Sequence, residues 1–353
     1  MGKRLMKGNE AVVHGALMGG ATHFFGYPIT PASEIAHGAA QYFPVSGRCF
    51  LQAESEVAAV NMLYGAAGSG ARVMTASSGP GFALMSEGLS YLAGARLPSV
   101  LVDVQRAGPG LGNIWPEQSD YNMVVKGGGH GNYKNIVLAP YSAQEMCDFT
   151  RRAFSLADTY RMTVCILSDA YIGQMMEPVE LSGDMAEGKR KDWAVYGDVK
   201  SRSNLITSIY MDPQLLEKHN HQLQSLYAQV EEECVAYEPY QLDDADVVFA
   251  AYGITARICM SAVDKLRNQG VRAGLLRPQT LFPFPKEPIA RAADRGAVII
   301  AVELSNGMMA DDVELAAKGQ SRVLRYGWLG GVIPTVDEIV ERTVRDLERG
   351  GVQ

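Results

Sequence analysis

Gly26-Tyr27-Pro28-Ile29-Thr30-Pro31 is the stretch on which the fold turns. It follows Thr22-His23-Phe24-Phe25, a short apolar run that reads as a strand, and precedes an amphipathic pattern over 31–41 that reads as a helix. Two prolines bracket the turn and stiffen it, because each locks φ. Pro31 suits the first position of the helix, with Thr30 as its cap. A strand that runs through a rigid turn into a helix is half of a βαβ unit, and such units bind ligands at the carboxyl edge of their sheet. Thr30 stands at that edge, either as a plain helix cap or with its hydroxyl offered to a ligand. The local residues leave both open.

Working outward, the alternation repeats. Strands are expected at 48–52, 72–76, 99–104, 135–138 and 164–168, and helices at 10–19, 55–68, 82–93 and 143–158. Ser142-Ala143-Gln144-Glu145 has the form of a capping box. The pattern implies an α/β domain with a mostly parallel sheet and helices on both faces, over 1–182. It breaks at 183–240, where a charged run, Gly188-Lys189-Arg190-Lys191-Asp192, leads to a polar helix at 213–237. This segment reads as a solvated connecting arm, with His219 and His221 exposed on it. Alternation resumes over 241–353: strands at 247–252, 272–276, 297–302 and 322–326, helices at 256–268, 288–293, 311–318 and 336–348, the last with the capping box Thr335-Val336-Asp337-Glu338. A second, smaller α/β domain is expected there.

Composition narrows the function. A net charge of −7 argues against a nucleic-acid binder, which carries a basic face. No apolar run approaches the roughly 18 residues of a membrane span, and the basic start, Met1 to Lys7, is not followed by the apolar stretch of a secretory signal. The expected location is the cytoplasm. The five cysteines, Cys49, Cys147, Cys165, Cys234 and Cys259, form no C-x-x-C pair, so neither a disulfide framework nor a cluster held by this chain is expected. No histidine pair has metal-ligand spacing.

Glycine is abundant, so phosphate loops must be weighed. Gly65-Ala66-Ala67-Gly68-Ser69-Gly70 has Walker-like spacing but lacks the Lys and Ser/Thr that such a loop needs. Gly127-Gly128-Gly129-His130-Gly131 reads as a flexible loop rather than an anion nest. Two further strand ends carry chemistry. In Gln52-Ala53-Glu54-Ser55-Glu56, Glu56 complements the dipole of the following helix, whereas Glu54 falls at the strand end and points to the sheet-top crevice. A carboxylate in a poorly solvated crevice has a raised pKa and passes protons. In Val104-Gln105-Arg106-Ala107-Gly108-Pro109-Gly110-Leu111-Gly112-Asn113, a guanidinium at a strand end borders a glycine-rich loop that admits a ligand. Arg106 suits capture of a carboxylate, or else makes a surface ion pair.

Taken in order, Tyr27-Pro28-Ile29-Thr30-Pro31, Gln52-Ala53-Glu54-Ser55-Glu56, Ser77-Ser78-Gly79-Pro80-Gly81-Phe82, Gln105-Arg106-Ala107-Gly108-Pro109 and Gln118-Ser119-Asp120-Tyr121 resemble the α subunits of 2-oxoacid:ferredoxin oxidoreductases. Tyr252-Gly253-Ile254-Thr255-Ala256-Arg257 and Leu276-Arg277-Pro278-Gln279-Thr280-Leu281-Phe282-Pro283 extend the resemblance into the second domain. The branched-chain, 2-oxoisovalerate type is most similar. The resemblance implies a thiamine-diphosphate-binding fold, with a pyrimidine-binding domain and a transketolase C-terminal-like domain. It implies oxidative decarboxylation of a 2-oxoacid to an acyl-coenzyme A, with electrons passed to ferredoxin.

By the same resemblance, Tyr27, Pro28, Ile29 and Glu54 hold the aminopyrimidine. Thr30 and Arg106 bind the 2-oxoacid, Arg106 holding its carboxylate. Glu54, Thr30 and Arg106 are the catalytic set. The Gly-Asp-Gly…Asn-Asn diphosphate motif is absent, so a β subunit is expected to bind the diphosphate and its Mg2+. The 4Fe–4S clusters are expected on partner chains, with γ and ferredoxin-like δ subunits commonly present, and this chain is expected to be inactive alone. Two other readings compete: the same subunit acting on 2-oxoglutarate or an aryl 2-oxoacid, and a non-catalytic α/β scaffold.

Overall fold

Apolar and β-branched runs set fourteen strands in the computed structural model, which describes residues 2–350. In chain order they are β1 (Arg4–Lys7), β2 (His23–Gly26), β3 (Cys49–Gln52), β4 (Val73–Ser77), β5 (Ser99–Gln105), β6 (Ile136–Leu138) and β7 (Thr163–Asp169). Then come β8 (Met176–Val179), β9 (Tyr237–Tyr240), β10 (Val247–Ala250), β11 (Ala273–Pro278), β12 (Thr280–Phe282), β13 (Val298–Glu303) and β14 (Val323–Gly327). The first sheet has the order β12-β6-β7-β5-β4-β2-β3 and the second β14-β13-β10-β11-β9.

The core of each sheet is parallel, and only the edge strands β12 and β9 run antiparallel. Every residue of β4, β5 and β7 is buried, as a sheet covered on both faces requires. Two edge strands cross between the halves of the chain. β9, from the connecting arm, completes the second sheet, and β12, from beyond β11, completes the first by pairing with β6. Neither was expected from the sequence, nor was the antiparallel pair of β1 and β8.

Three local expectations need correction. The helix expected at 31–41 is Ser33–Val45. The Pro31 carbonyl accepts hydrogen bonds from the Asn9 side chain at 2.8 Å and the Gln174 side chain at 3.3 Å, so the turn is tied to neighbouring elements instead of opening the helix, and Thr30 caps nothing. The helix expected at 82–93 is two, Gly79–Leu84 and Ser86–Gly94. The break at Met85, whose N–H bonds back to Phe82, turns the second piece so that Gly88 lies on Val60, where a Cβ would come within 2.4 Å of Cγ1. His219 is half-buried rather than exposed: its Nε2 lies 2.8 Å from the Gly94 carbonyl and its ring stacks on Tyr210 at 4.8 Å.

The two capping boxes fare differently. Thr335 and Glu338 exchange both bonds. Ser142 accepts from the Glu145 N–H at 3.2 Å, but the Glu145 carboxylate turns to Arg277. Arg277, 1% exposed on β11, also meets Glu238 on β9 and stacks over Tyr141 at 3.9 Å. The buried cluster joins the second sheet to the helix Ala143–Tyr160 of the first. Among the described residues no helix is long and apolar enough to cross a membrane.

Candidate functional site

The carboxyl ends of β2, β3 and β5 share one edge of the first sheet. The Ala53 N–H donates to the Gly26 carbonyl at 2.9 Å, carrying the ladder one step beyond β2 and β3. Tyr27 and Glu54 therefore leave adjacent strands side by side. Ser55 caps the helix Glu56–Gly68 by accepting from the Ala58 N–H at 3.1 Å, which fixes where Glu54 stands. Glu56, the first residue of that helix, is buried against Gly81, where a Cβ would lie 2.3 Å from its Oε1. Glu54 itself is exposed and has no hydrogen-bond partner among the described residues. The expectation that it sits in a poorly solvated crevice does not hold within this chain, because no other element covers the end of β3, an edge strand.

Arg106 and Thr30 are brought together. The guanidinium Nη1 donates to the Thr30 carbonyl at 2.8 Å, bridging the end of β5 to the turn after β2. Its Nε is buried without a partner. Thr30 is exposed on the wall of a 620 Å3 cleft whose other lining includes Ile114, Trp115, Pro116, Tyr171 and Met175. Glu54 makes no contact with either residue; it shares only their sheet edge. A free carboxylate on a rigid strand end, flanked by the exposed apolar surfaces of Tyr27 and Leu51, fits an aminopyrimidine ring, which has a protonatable ring nitrogen and apolar faces.

Beneath this edge lies a carboxyl pair. Asp103 on β5 is fully buried, its Oδ1 accepting from the Gly79 N–H at 3.2 Å. Asp120 lies beside it, and each of the two buries an Oδ2 with no hydrogen-bond partner among the described residues. Burial, with the neighbouring Asp120 charge, pushes Asp103 well above the ordinary carboxyl range. Burial also pushes Asp120 up to about 6, and Glu117 acts in the same direction while Arg106 opposes it. Adjacent buried carboxyls do not ionise together easily: Asp120 gives up its proton at about 6, and Asp103 keeps its own well above the ordinary carboxyl range. The folded state holds the Asp120 proton more tightly than the unfolded chain. The resulting stability is complete below pH 4 and is lost as pH rises through about 6. A carboxyl moved from 3.8 to about 6 sets the scale at about 3 kcal/mol. Asp120→Asn puts a neutral amide where that charge forms. Its thermal midpoint is expected to exceed that of the parent protein at pH 8 and to converge with it at pH 5; parallel curves across that range would refute the raised pKa of Asp120.

Sequence reasoning missed Asp103, although an aspartate inside Val100-Leu101-Val102-Asp103-Val104 is a visible signal: a charge in a fully apolar strand. It also missed Glu117, which is buried beside the Arg106 loop. Gly127–131 is a loop, as read, and the Gly129 N–H is taken up by the Tyr133 hydroxyl at 3.1 Å. Four of the cysteines are buried and all five are free.

Residues 14–239 match the family described as pyruvate flavodoxin/ferredoxin oxidoreductase, thiamine diP-bdg, and residues 245–339 match pyruvate:ferredoxin oxidoreductase core domain II. The chain belongs to this family. It is 54% identical over 97% of both chains to the ketoisovalerate oxidoreductase subunit VorB of Methanothermobacter thermautotrophicus. It is 35% identical to the 2-oxoglutarate synthase subunit KorA of Methanothermobacter marburgensis, over 96% of this chain and 97% of that one. Among solved structures, 2-oxoglutarate:ferredoxin oxidoreductase from Magnetococcus marinus, with 2-oxoglutarate, coenzyme A and succinyl-CoA bound, superposes with a TM-score of 0.87 at 27% identity, covering 98% of this chain. This chain spans 65% of the length of that one. The α/β fold read from the sequence is therefore that of an oxidoreductase subunit with a thiamine-diphosphate-binding first module.

Proposed function

We propose that this oxidoreductase subunit is the pyrimidine-binding α subunit of a branched-chain 2-oxoacid:ferredoxin oxidoreductase. The observation that carries this reading is its near-full-length 54% identity to a ketoisovalerate oxidoreductase subunit, against 35% to a 2-oxoglutarate one. The enzyme converts 2-oxoisovalerate, coenzyme A and oxidised ferredoxin to an acyl-coenzyme A, CO2 and reduced ferredoxin. The cleft beside Thr30 favours an aliphatic substrate. Of the described residues that line it, none is Lys or Arg, and Glu34 contributes a carboxylate that Lys7, Asn9 and Gln174 hold ionised against the cost of its partial burial. A distal substrate carboxylate would find no counter-charge there.

Thiamine diphosphate supplies carbanion stabilisation when bound. Glu54 accepts a hydrogen bond from the aminopyrimidine ring nitrogen and so holds a proton at that atom. Tyr27, Pro28 and Ile29 pack against the ring. Arg106 pairs with the 2-oxoacid carboxylate while its other end stays bonded to the Thr30 carbonyl, and the Thr30 hydroxyl donates to the substrate oxo group. A β subunit closes the site, burying Glu54 and binding the diphosphate and Mg2+. It also carries a 4Fe–4S cluster, γ and ferredoxin-like δ subunits complete the complex, all of its clusters lie on these partner chains, and the complex works in the cytoplasm. The similarity to 2-oxoglutarate enzymes supports that substrate as the second reading.

The test is anoxic, coenzyme A-dependent reduction of a viologen dye by the assembled complex. 2-Oxoisovalerate is expected to give kcat/KM at least tenfold above 2-oxoglutarate, pyruvate and an arylpyruvate. A preference for 2-oxoglutarate would select the second reading. No reduction with any of the four, from a complex holding thiamine diphosphate and intact clusters, would overturn the assignment.

A further inference from the structure

The loop after β5 returns on itself. Arg106 pairs with Pro116, the Ala107 N–H donates to the Trp115 carbonyl at 2.9 Å, and the Asn113 N–H donates to the Ala107 carbonyl at 3.0 Å. Gly112 sits at φ +54, with its Cα so close to the Ala107 carbonyl that no Cβ fits. The loop is thus a closed ring of backbone hanging from Arg106.

Glu117 holds that ring from below. The residue is 3% exposed and has no cationic partner within 4 Å among the described residues. Its Oε2 accepts from the Gly108 N–H at 2.8 Å and the Ser119 hydroxyl at 3.1 Å. Its Oε1 accepts from the Gly330 N–H at 2.8 Å, in the loop after β14 of the second sheet. One buried carboxylate therefore joins the Arg106 loop to the far edge of the other sheet. Asn113 adds a second tie, donating to the Gly330 carbonyl at 3.0 Å. Gly331 leaves room for it: a Cβ there would fall 2.4 Å from the Trp115 Cβ. The next residue, Gln118, is anchored as well, its N–H donating to the Leu304 carbonyl at 2.8 Å and its Oε1 accepting from the Leu304 N–H at 2.9 Å.

A buried carboxylate satisfied by backbone amides instead of a cation is costly to keep, because its charge is only partly offset. Ordinary packing of one loop on another does not need it. What it provides is a fixed distance between two glycine-rich loops on different sheets. Glu117 also lines the cleft that Arg106, Gly108 and Asp120 line.

We propose that Glu117 is a positioning residue for 2-oxoacid binding: it locks the Arg106 loop to the Gly330–Gly331 loop, so that the second sheet sets where the substrate carboxylate is received. The inference rests on Arg106 being the carboxylate-binding residue. Substrate affinity is then controlled from a loop that touches no substrate.

The experiment compares the assembled parent complex with Glu117→Gln and Asn113→Ala complexes. Glu117→Gln keeps the length of the side chain but turns an amide NH2 towards one backbone N–H. Asn113 is exposed, so Asn113→Ala tests the same tie if Glu117→Gln fails to fold. Two readouts are taken: amide hydrogen exchange of peptides covering residues 107–113 and 328–331, and KM and kcat for 2-oxoisovalerate in the viologen assay. Glu117→Gln is expected to speed exchange in both loops together, by at least tenfold, and to raise KM by about tenfold or more with kcat within threefold. Asn113→Ala is expected to do the same more weakly, at about threefold. Unchanged exchange in the partner loop would overturn the tie, and faster exchange in both loops with an unchanged KM would overturn the positioning role. If the functional reading itself is wrong, the parent complex fails to turn over any 2-oxoacid before a variant is measured, and the exchange readout still decides the tie.

Discussion

Replacing Glu54 with Gln in the assembled complex is expected to cut turnover about 100- to 10,000-fold, while the thermal midpoint stays within a degree or two of the parent. The two halves of this expectation have separate causes. Glu54 is exposed, bonds to no described residue and lies past the end of β3, so the fold loses nothing with it. Its proposed role is to accept a proton-bearing ring nitrogen in a site that a partner subunit closes. There Gln offers a neutral carbonyl or an NH2 group and cannot stabilise the protonated nitrogen. Cofactor retention by the variant, measured on the washed complex, separates lost chemistry from lost binding. Turnover within threefold of the parent would end the role given to Glu54 and revive the scaffold reading.

Arg277→Met is expected to produce the largest loss of stability, about 3–5 kcal/mol, read as a fall in the urea midpoint. The guanidinium is 1% exposed and bonds Glu145 through both terminal nitrogens, at 2.9 and 2.7 Å, and Glu238 through Nε at 2.9 Å. Burial already holds Glu145 above its ordinary pKa against the opposing pull of Arg277. Without Arg277, Glu145 must be buried with an uncompensated charge or take up a proton. The defect is therefore expected to be greatest at pH 8 and to shrink towards pH 5, where the carboxyl protonates. Adding Glu145→Gln should recover at least half of the loss at pH 8. A pH-independent defect would show that lost packing over Tyr141, rather than stranded charge, is responsible.

Whether a feature was legible in the sequence depended on how local its cause is. β2, β3, β4, β5 and β7 were legible because each is a short apolar run within a chain that alternates such runs with helical patterns. Thr30, Glu54 and Arg106 were legible as candidates because each closes such a run. The Thr30–Arg106 contact was not, since it joins residues 76 apart. Glu117 was hidden for the same reason: nothing near it in sequence reveals that one oxygen reaches Gly108 and the other Gly330. The start of the helix after Pro31 was misread because the decisive partner, the Asn9 amide, is 22 residues away. β9 and β12, at four and three residues, are strands only because an existing sheet edge accepts them.

β12 has a consequence for how the chain is made. Translation delivers β6 about 140 residues before β12, so the outer edge of the first sheet emerges from the ribosome with its amides and carbonyls unpaired. The N-terminal module cannot finish folding as it is synthesised; it waits for residues 280–282, which arrive only after most of the second sheet's central strands. An edge held open for that time is a template for another strand. During synthesis the chain is consequently exposed to mispairing at β6, and the gap between the two family modules, residues 240–244, is a poor place to cut the protein into independently expressed halves.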